Sequence, residues 1–260
     1  VKAILVAIVL LVLVGVVAIA NAPASLVPMA LAEAEKRQLL APNAPAISLV
    51  NLEGTVWDGQ ANETVITVAG EPLHLGVLRW QLDPLSLLDS SPVIHVQTQA
   101  SEHAVQATVI AKANGDIRIN DIEGRMPISL LEPWLPMLVK GDISFVFDHI
   151  TVNPKQLLAI DGVVNVEYVD WLGGDYAMPL GSYMAQISLQ DNNIHMDIND
   201  FSASLGMNGL LTVNPLSGAY QFDATLQARP GLAPEVAESI AWFGKRNNQG
   251  DIILKQRGRF

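Results

Sequence analysis

The chain contains no cysteine, which excludes disulfide scaffolds, thiolate metal sites and cysteine nucleophiles together. Charge is scarce, at 16% of residues, and it leans acidic: 26 Asp and Glu against 15 Lys and Arg give a formal net charge of −11. A nucleic-acid binder needs a basic face to neutralise phosphates, so no nucleic-acid partner is expected. Aromatic residues reach only 6%, too few for the two interfacial girdles of an outer-membrane barrel. Helical patterns long enough to serve as crossovers are rare as well. What remains is a chain of 260 residues, ample for one large domain or two small ones.

Long apolar sequence occurs in one place, and it lifts the mean hydropathy to +0.31. Residues 3–20 carry only Ala, Ile, Leu, Val and Gly15. As a helix this stretch would rise about 27 Å, close to the hydrocarbon thickness of a bilayer. Ala20-Asn21-Ala22 has the small residues of a signal-peptide cleavage site, but Pro23 would follow the cut. The run also exceeds the roughly 7–15 apolar residues of a signal sequence. A retained transmembrane anchor is therefore expected over residues 1–22. Lys2 places its start in the cytoplasm and the bulk of the chain outside. Residues 23–45, punctuated by Pro23, Pro28, Pro42 and Pro45, read as a juxtamembrane linker with a short helix near Ala30 to Leu40. Residues 46–260 form the main domain.

Period-two alternation dominates that domain. Ile94, Val96 and Thr98 oppose His95, Gln97 and Gln99. Ile143, Phe145 and Phe147 oppose Asp142, Ser144 and Asp148. The same pattern recurs over Ile194–Asn199 and Tyr220–Gln227. One dry and one wet face is the mark of antiparallel pairing. Asn114-Gly115 predicts a tight type I′ hairpin, with Asn208-Gly209 and Asp191-Asn192-Asn193 in similar places. Consecutive strands should pair directly, as a meander. Short Pro-led helical pieces are expected at Asp83–Leu88 and Pro154–Leu158, with another at Leu130–Leu135. The best helical pattern is Pro234–Gly244, where Val236, Ile240 and Phe243 share a face.

Catalytic and metal signatures are missing. His74, His95, His103, His149 and His195 lack ligand spacing and read as surface or rim residues. Asp191–Asp200 lacks the glycine and terminal glutamate of a calcium loop. No nucleophile elbow, phosphate loop or dinucleotide fingerprint occurs. No enzyme, no metal and no cofactor are expected. Trp57, Trp80, Trp134, Trp171 and Trp242 read as core or strand-end residues. Lys255, Arg257 and Arg259 fall on one face of a final strand, which a lipid-facing surface would not tolerate.

Two blocks carry a resemblance. Gly54-Thr55-Val56-Trp57-Asp58-Gly59-Gln60-Ala61 is followed by Leu78-Arg79-Trp80-Gln81-Leu82-Asp83-Pro84-Leu85-Ser86-Leu87-Leu88. Behind an apolar N-terminal run, they resemble the type II secretion system protein N family. Weaker later blocks agree: Leu180-Gly181-Ser182-Tyr183, Gly218-Ala219-Tyr220 running to Arg229-Pro230, and a closing strand ending near Gly258.

The resemblance implies a single-pass inner-membrane protein of Gram-negative bacteria with a periplasmic β domain. Such a protein is a non-enzymatic accessory of the type II secretion machinery, in contact with components of its inner-membrane platform or periplasm. It implies no catalytic residues. Gly54, Trp57, Gly59, Trp80 and Pro84 are the signature positions, with a structural role: a turn at Gly54, a turn or bulge at Gly59, and two indoles closing the first strand pair. A distant likeness to anchored proteins whose curled, apolar-lined sheet carries lipid implies the alternative, a lipid-binding or lipid-transfer module. The expected fold is therefore mainly β: an N-terminal transmembrane helix, then a meander-rich antiparallel sheet, strongly curved into a roll or half-barrel. A sandwich or closed barrel would satisfy the same alternation.

Overall fold

A computed structural model describes residues 19–37, 46–68, 70–135, 137–173, 176–242 and 244–259. The strands are β1 (Ala46–Gly54), β2 (Asp58–Val68), β3 (Glu71–Leu82), β4 (Val93–Gln99), β5 (Ala104–Ala111), β6 (Ile117–Pro127) and β7 (Val139–Val152). They continue as β8 (Leu157–Trp171), β9 (Met178–Gln190), β10 (Asn193–Ala203), β11 (Leu205–Val213), β12 (Ala219–Ala228), β13 (Lys245–Arg246) and β14 (Ile252–Arg259). All belong to one 14-stranded sheet, in chain order except that β14 lies between β12 and β13. Every pairing is antiparallel. The alternating runs at Ile94, Ile143, Ile194 and Tyr220 all lie on strands, β4, β7, β10 and β12.

The turns differ in detail from the sequence reading. At Asn114-Gly115 only Gly115 has positive φ, and its N–H donates to the Lys112 carbonyl. That is a type I turn ending in a left-handed glycine, one residue longer than a type I′ turn. The two-residue type I′ geometry occurs at Asp191-Asn192, where both φ angles are positive, 50° and 60°. Asn208-Gly209 is no turn: it sits inside β11, paired with Asn199 and Ile198 on one side and Thr225 and Ala224 on the other. Pro154–Leu158 forms no helix, because the Asn153 carboxamide oxygen accepts from the N–H groups of Lys155 and Gln156 and turns the chain into β8. Single 3₁₀ helices occupy Pro84–Asp89 and Ile128–Trp134. Two α-helices lie wholly within the described residues: α1 (Leu26–Lys36), four residues earlier than expected, and α2 (Pro234–Ile240), which stops short of Gly244.

The core is split. One cluster joins Ala24, Ala61 and Trp80 near the β1 edge. The larger one gathers Val169, Met178, Leu180 and Tyr183 with Leu205, Leu226, Ile252 and Leu254 under Val236 and Ile240 of α2. Strands contact chiefly their ladder neighbours, whereas rolling would bring strands distant in order together. β1 and β13 stay apart as two separate edges. The expected roll or half-barrel is thus corrected to an open sheet, and the apolar groove of the lipid-carrying alternative goes with it.

The transmembrane expectation is corrected too. Most of the apolar run, residues 3–18, lies outside the described residues, and among those described no helix is long and apolar enough to cross a membrane. α1 has 11 residues, about 16 Å of helix, and it carries Glu33, Glu35 and Lys36. Ile19 and Ala22, near the end of the expected anchor, are instead hydrogen-bonded to the protein. Trp57 Nε1 donates to the Ile19 carbonyl and the Val56 N–H to the Ala22 carbonyl. A single-pass helix, an inner-membrane location and a cytoplasmic N-terminus are therefore not supported.

Candidate functional site

The two signature blocks meet at one end of the sheet. Gly54 closes β1 with φ 83°, and a β-carbon there would lie 2.5 Å from the Asp58 carbonyl oxygen. Only glycine turns so tightly beside that carbonyl. The Thr55 N–H donates to the same oxygen, and the Thr55 hydroxyl accepts from the N–H groups of Trp57 and Asp58. Gly59 opens onto Trp80 across the β2–β3 ladder. A β-carbon at Gly59 would stand 2.4 Å from the indole, so the ring lies directly on bare backbone. The Trp80 Nε1–H donates to the Val56 carbonyl at 3.2 Å, and the residue is 7% exposed. Pro84 begins its 3₁₀ helix behind Asp83, whose carboxylate accepts from the Leu85 N–H. The Ser86 hydroxyl then accepts from the Val93 N–H, aiming the chain into β4.

The sequence reading missed what this turn holds. Pro23 bridges to Thr55, the Ala24 N–H donates to the Gly54 carbonyl, and Ala24 is 2% exposed against Ala61 and Trp80. Residues 19–27 are thus strapped to the sheet end by the Gly54–Trp57 turn. Backbone groups make most of those bonds, so no side-chain motif announces them. Trp57, rather than closing the strand pair, reaches the strap.

The later blocks converge on a second brace. Gly181, with φ 132°, lies so close to Ala203 that a β-carbon would sit 2.2 Å from its Cα. The Tyr183 hydroxyl donates to the Leu205 carbonyl at 2.9 Å, and burial, with the nearby Asp200 charge, pushes its pKa up. Asp200 takes a two-pronged contact from Arg229 and accepts from the Met207 N–H at 2.8 Å. Burial pushes its carboxyl up, but the Arg229 guanidinium and the Met207 N–H outweigh that and hold it below the usual carboxylate range. Twenty-nine residues separate Asp200 from Arg229, which is why local pattern gave no sign of the pair.

Nothing here assembles reactive chemistry. Among the described residues no three His, Asp or Glu side chains form a metal cluster. His103 is 9% exposed rather than on the surface, and Trp242 is 90% exposed rather than packed. A cavity of about 550 Å³ near the β4–β5 turn has Gln97, Gln99, Gln106, Glu123 and Arg125 in its walls. Val105, Phe145 and Val146 line it as well, so its walls are mixed polar and apolar.

Comparison with known proteins agrees with the blocks. The family model described as "Type II secretion system (T2SS), protein N" matches residues 45–255. A type II secretion system protein N from Aeromonas hydrophila is 23% identical over 228 residues, covering 82% of this chain and 84% of that protein. One from Vibrio cholerae serotype O1 is 19% identical over 219 residues, covering 82% of this chain and 85% of its own length. No solved structure matches. The match over residues 45–255 takes in the Gly54–Trp57 turn, the Asp200–Arg229 brace and nearly all of the sheet, and the chain belongs to the type II secretion system protein N family, whose members are non-enzymatic components of that system.

Proposed function

We propose that residues 46–260 act as a periplasmic β domain that serves type II secretion through protein–protein contacts. The observation that carries this reading is the family match over residues 45–255. The fold supports it: Val236 and Ile240 of α2 seal the large cluster with protein side chains, while among the described residues neither end of the sheet carries a further strand. Gly54, Trp57, Gly59 and Trp80 serve as the clasp that holds residues 19–27, and Pro84 opens the 3₁₀ helix that leads into β4, none of them as a contact site. Partners are components of the secretion platform or of the periplasm, met through strand edges and the polar face.

The test is affinity purification of the tagged full chain after chemical crosslinking, from cells that express a type II system. Other secretion components should be enriched over a strain expressing the tag alone. Recovery of the chain without any of them would contradict the reading.

A further inference from the structure

The last strand ends in a patch unlike the rest of the molecule. β13 covers only Ile252 and Ile253 of β14, so among the described residues the outer edge from Leu254 to Arg259 has no neighbouring strand. Lys255 to Arg259 are all exposed. Ile252 and Leu254 are buried in the large cluster, so period-two alternation turns Lys255, Arg257 and Arg259 to the opposite face. Lys245, paired with Ile253, joins them on that face. Arg259 donates through Nε to the Ser217 carbonyl. The described ion pairs are Arg37–Glu33, His74–Glu63 and Arg229–Asp200. Lys245, Arg246 and Arg257 thus form no ion pair among the described residues, and Lys255 has only Asp223 opposite it on β12, in a chain whose net charge is −11.

Lysine on an edge strand ordinarily deters stray pairing. Cations at alternate positions deter a neutral or basic strand, but they complement an acidic one, since directly opposed side chains lie about 5 Å apart. A second copy is a poor occupant, because the other edge, β1, has Glu53 as its one charged residue and exposes Ile47 and Val50.

We propose that the outer edge of β14 receives an extended acidic segment of a partner protein as an added strand, with Asp or Glu at alternate positions opposite Lys255 and Arg257. This rests on the reading of the chain as a protein-binding component, and it names the edge and the partner's chemistry.

The test uses the full chain and a labelled eight-residue peptide alternating Glu and Val, against a peptide of the same composition with its glutamates in one block. In fluorescence anisotropy the alternating peptide should bind at least tenfold more tightly, and more weakly as salt rises. Hydrogen exchange at residues 254–259 should slow on binding. K255E/R257E should lose at least tenfold in affinity. K255A/R257A should lose less, and K155E, an exposed charge on the β7–β8 turn, should bind like the parent, with circular dichroism reporting that each is folded. Equal binding of the two peptides, unchanged exchange, or unchanged affinity in K255E/R257E overturns the proposal. So does binding to phosphatidylglycerol vesicles without binding of the alternating peptide, which would assign these cations to a lipid surface. If K255E/R257E still recovers secretion components from cells, the edge assignment falls and the secretion role stands. If the parent chain recovers none, the secretion role itself falls.

Discussion

Gly59 has no room for a β-carbon: the Trp80 ring would be 2.4 Å away and the Thr55 carbonyl oxygen 2.6 Å. Gly59→Ala should destabilise the protein by about 1–3 kcal/mol, the usual range for overpacking. In a Trp80→Ala background, where the ring is gone, the same change should cost less. Urea unfolding of the four members of that cycle measures the coupling, and strict additivity would mean the indole is not what excludes the methyl group. Asp200 makes a different prediction. Its folded pKa is lowered by Arg229 and the Met207 N–H against the opposing effect of burial. The stability it contributes is present above the ordinary carboxylate value of about 3.9 and is lost as pH falls through the lower folded value. Asp200→Asn should cost about 2 kcal/mol at neutral pH, and its melting temperature should fall less steeply than the parent's below pH 4. Parallel pH profiles would contradict this.

Among elements, the strands were the legible part of the sequence, because a half-buried antiparallel strand writes its two faces into alternate residues, as in Val93–Gln99. Turn geometry was legible only in part. Asn208-Gly209 has the composition of a hairpin turn, yet its backbone is bonded to strands on both sides, and the Asn208 amide reaches Asn199 across the ladder. The strap over residues 19–27 was not legible at all. It is fixed by the carbonyls of Ile19 and Ala22 and the N–H of Ala24, groups that every residue type but proline supplies. The apolar run before it pointed instead to a membrane span. Trp57→Phe keeps an aromatic ring, though a smaller one, and removes the donor to Ile19. It should therefore weaken the strap by about 1 kcal/mol and raise amide exchange at Ala24 and Val56, leaving exchange in β11 and β12 unchanged. Exchange that is unaltered at Ala24 and Val56 would show that the strap does not depend on that bond.

Across the whole molecule, two separate clusters sit in a sheet whose strands meet mainly their neighbours. Such an arrangement resembles a linear array, in which each part is stabilised by what lies next to it. Trp80→Ala, which empties the first cluster, should cost about 3–5 kcal/mol and reduce exchange protection in β1 to β4 while sparing β11 to β14. Val236→Ala with Ile240→Ala should do the reverse. Uniform loss of protection in both variants would instead indicate one cooperative unit. The same openness is what the proposed function uses: a sheet that ends in edges offers backbone to another chain, as a closed barrel does not.

The most direct measurement is in-cell photo-crosslinking with a photoreactive residue placed in turn at Val96 and Phe145 on the dry face, at Gln97 and Gln221 on the polar face, and at Arg257 on the β14 edge. Mass spectrometry would identify the adducts. Protein adducts to secretion components at the polar face or the edge, with none of lipid mass at Val96 and Phe145, are the predicted result. Lipid adducts confined to Val96 and Phe145, with no protein adduct elsewhere, would contradict it.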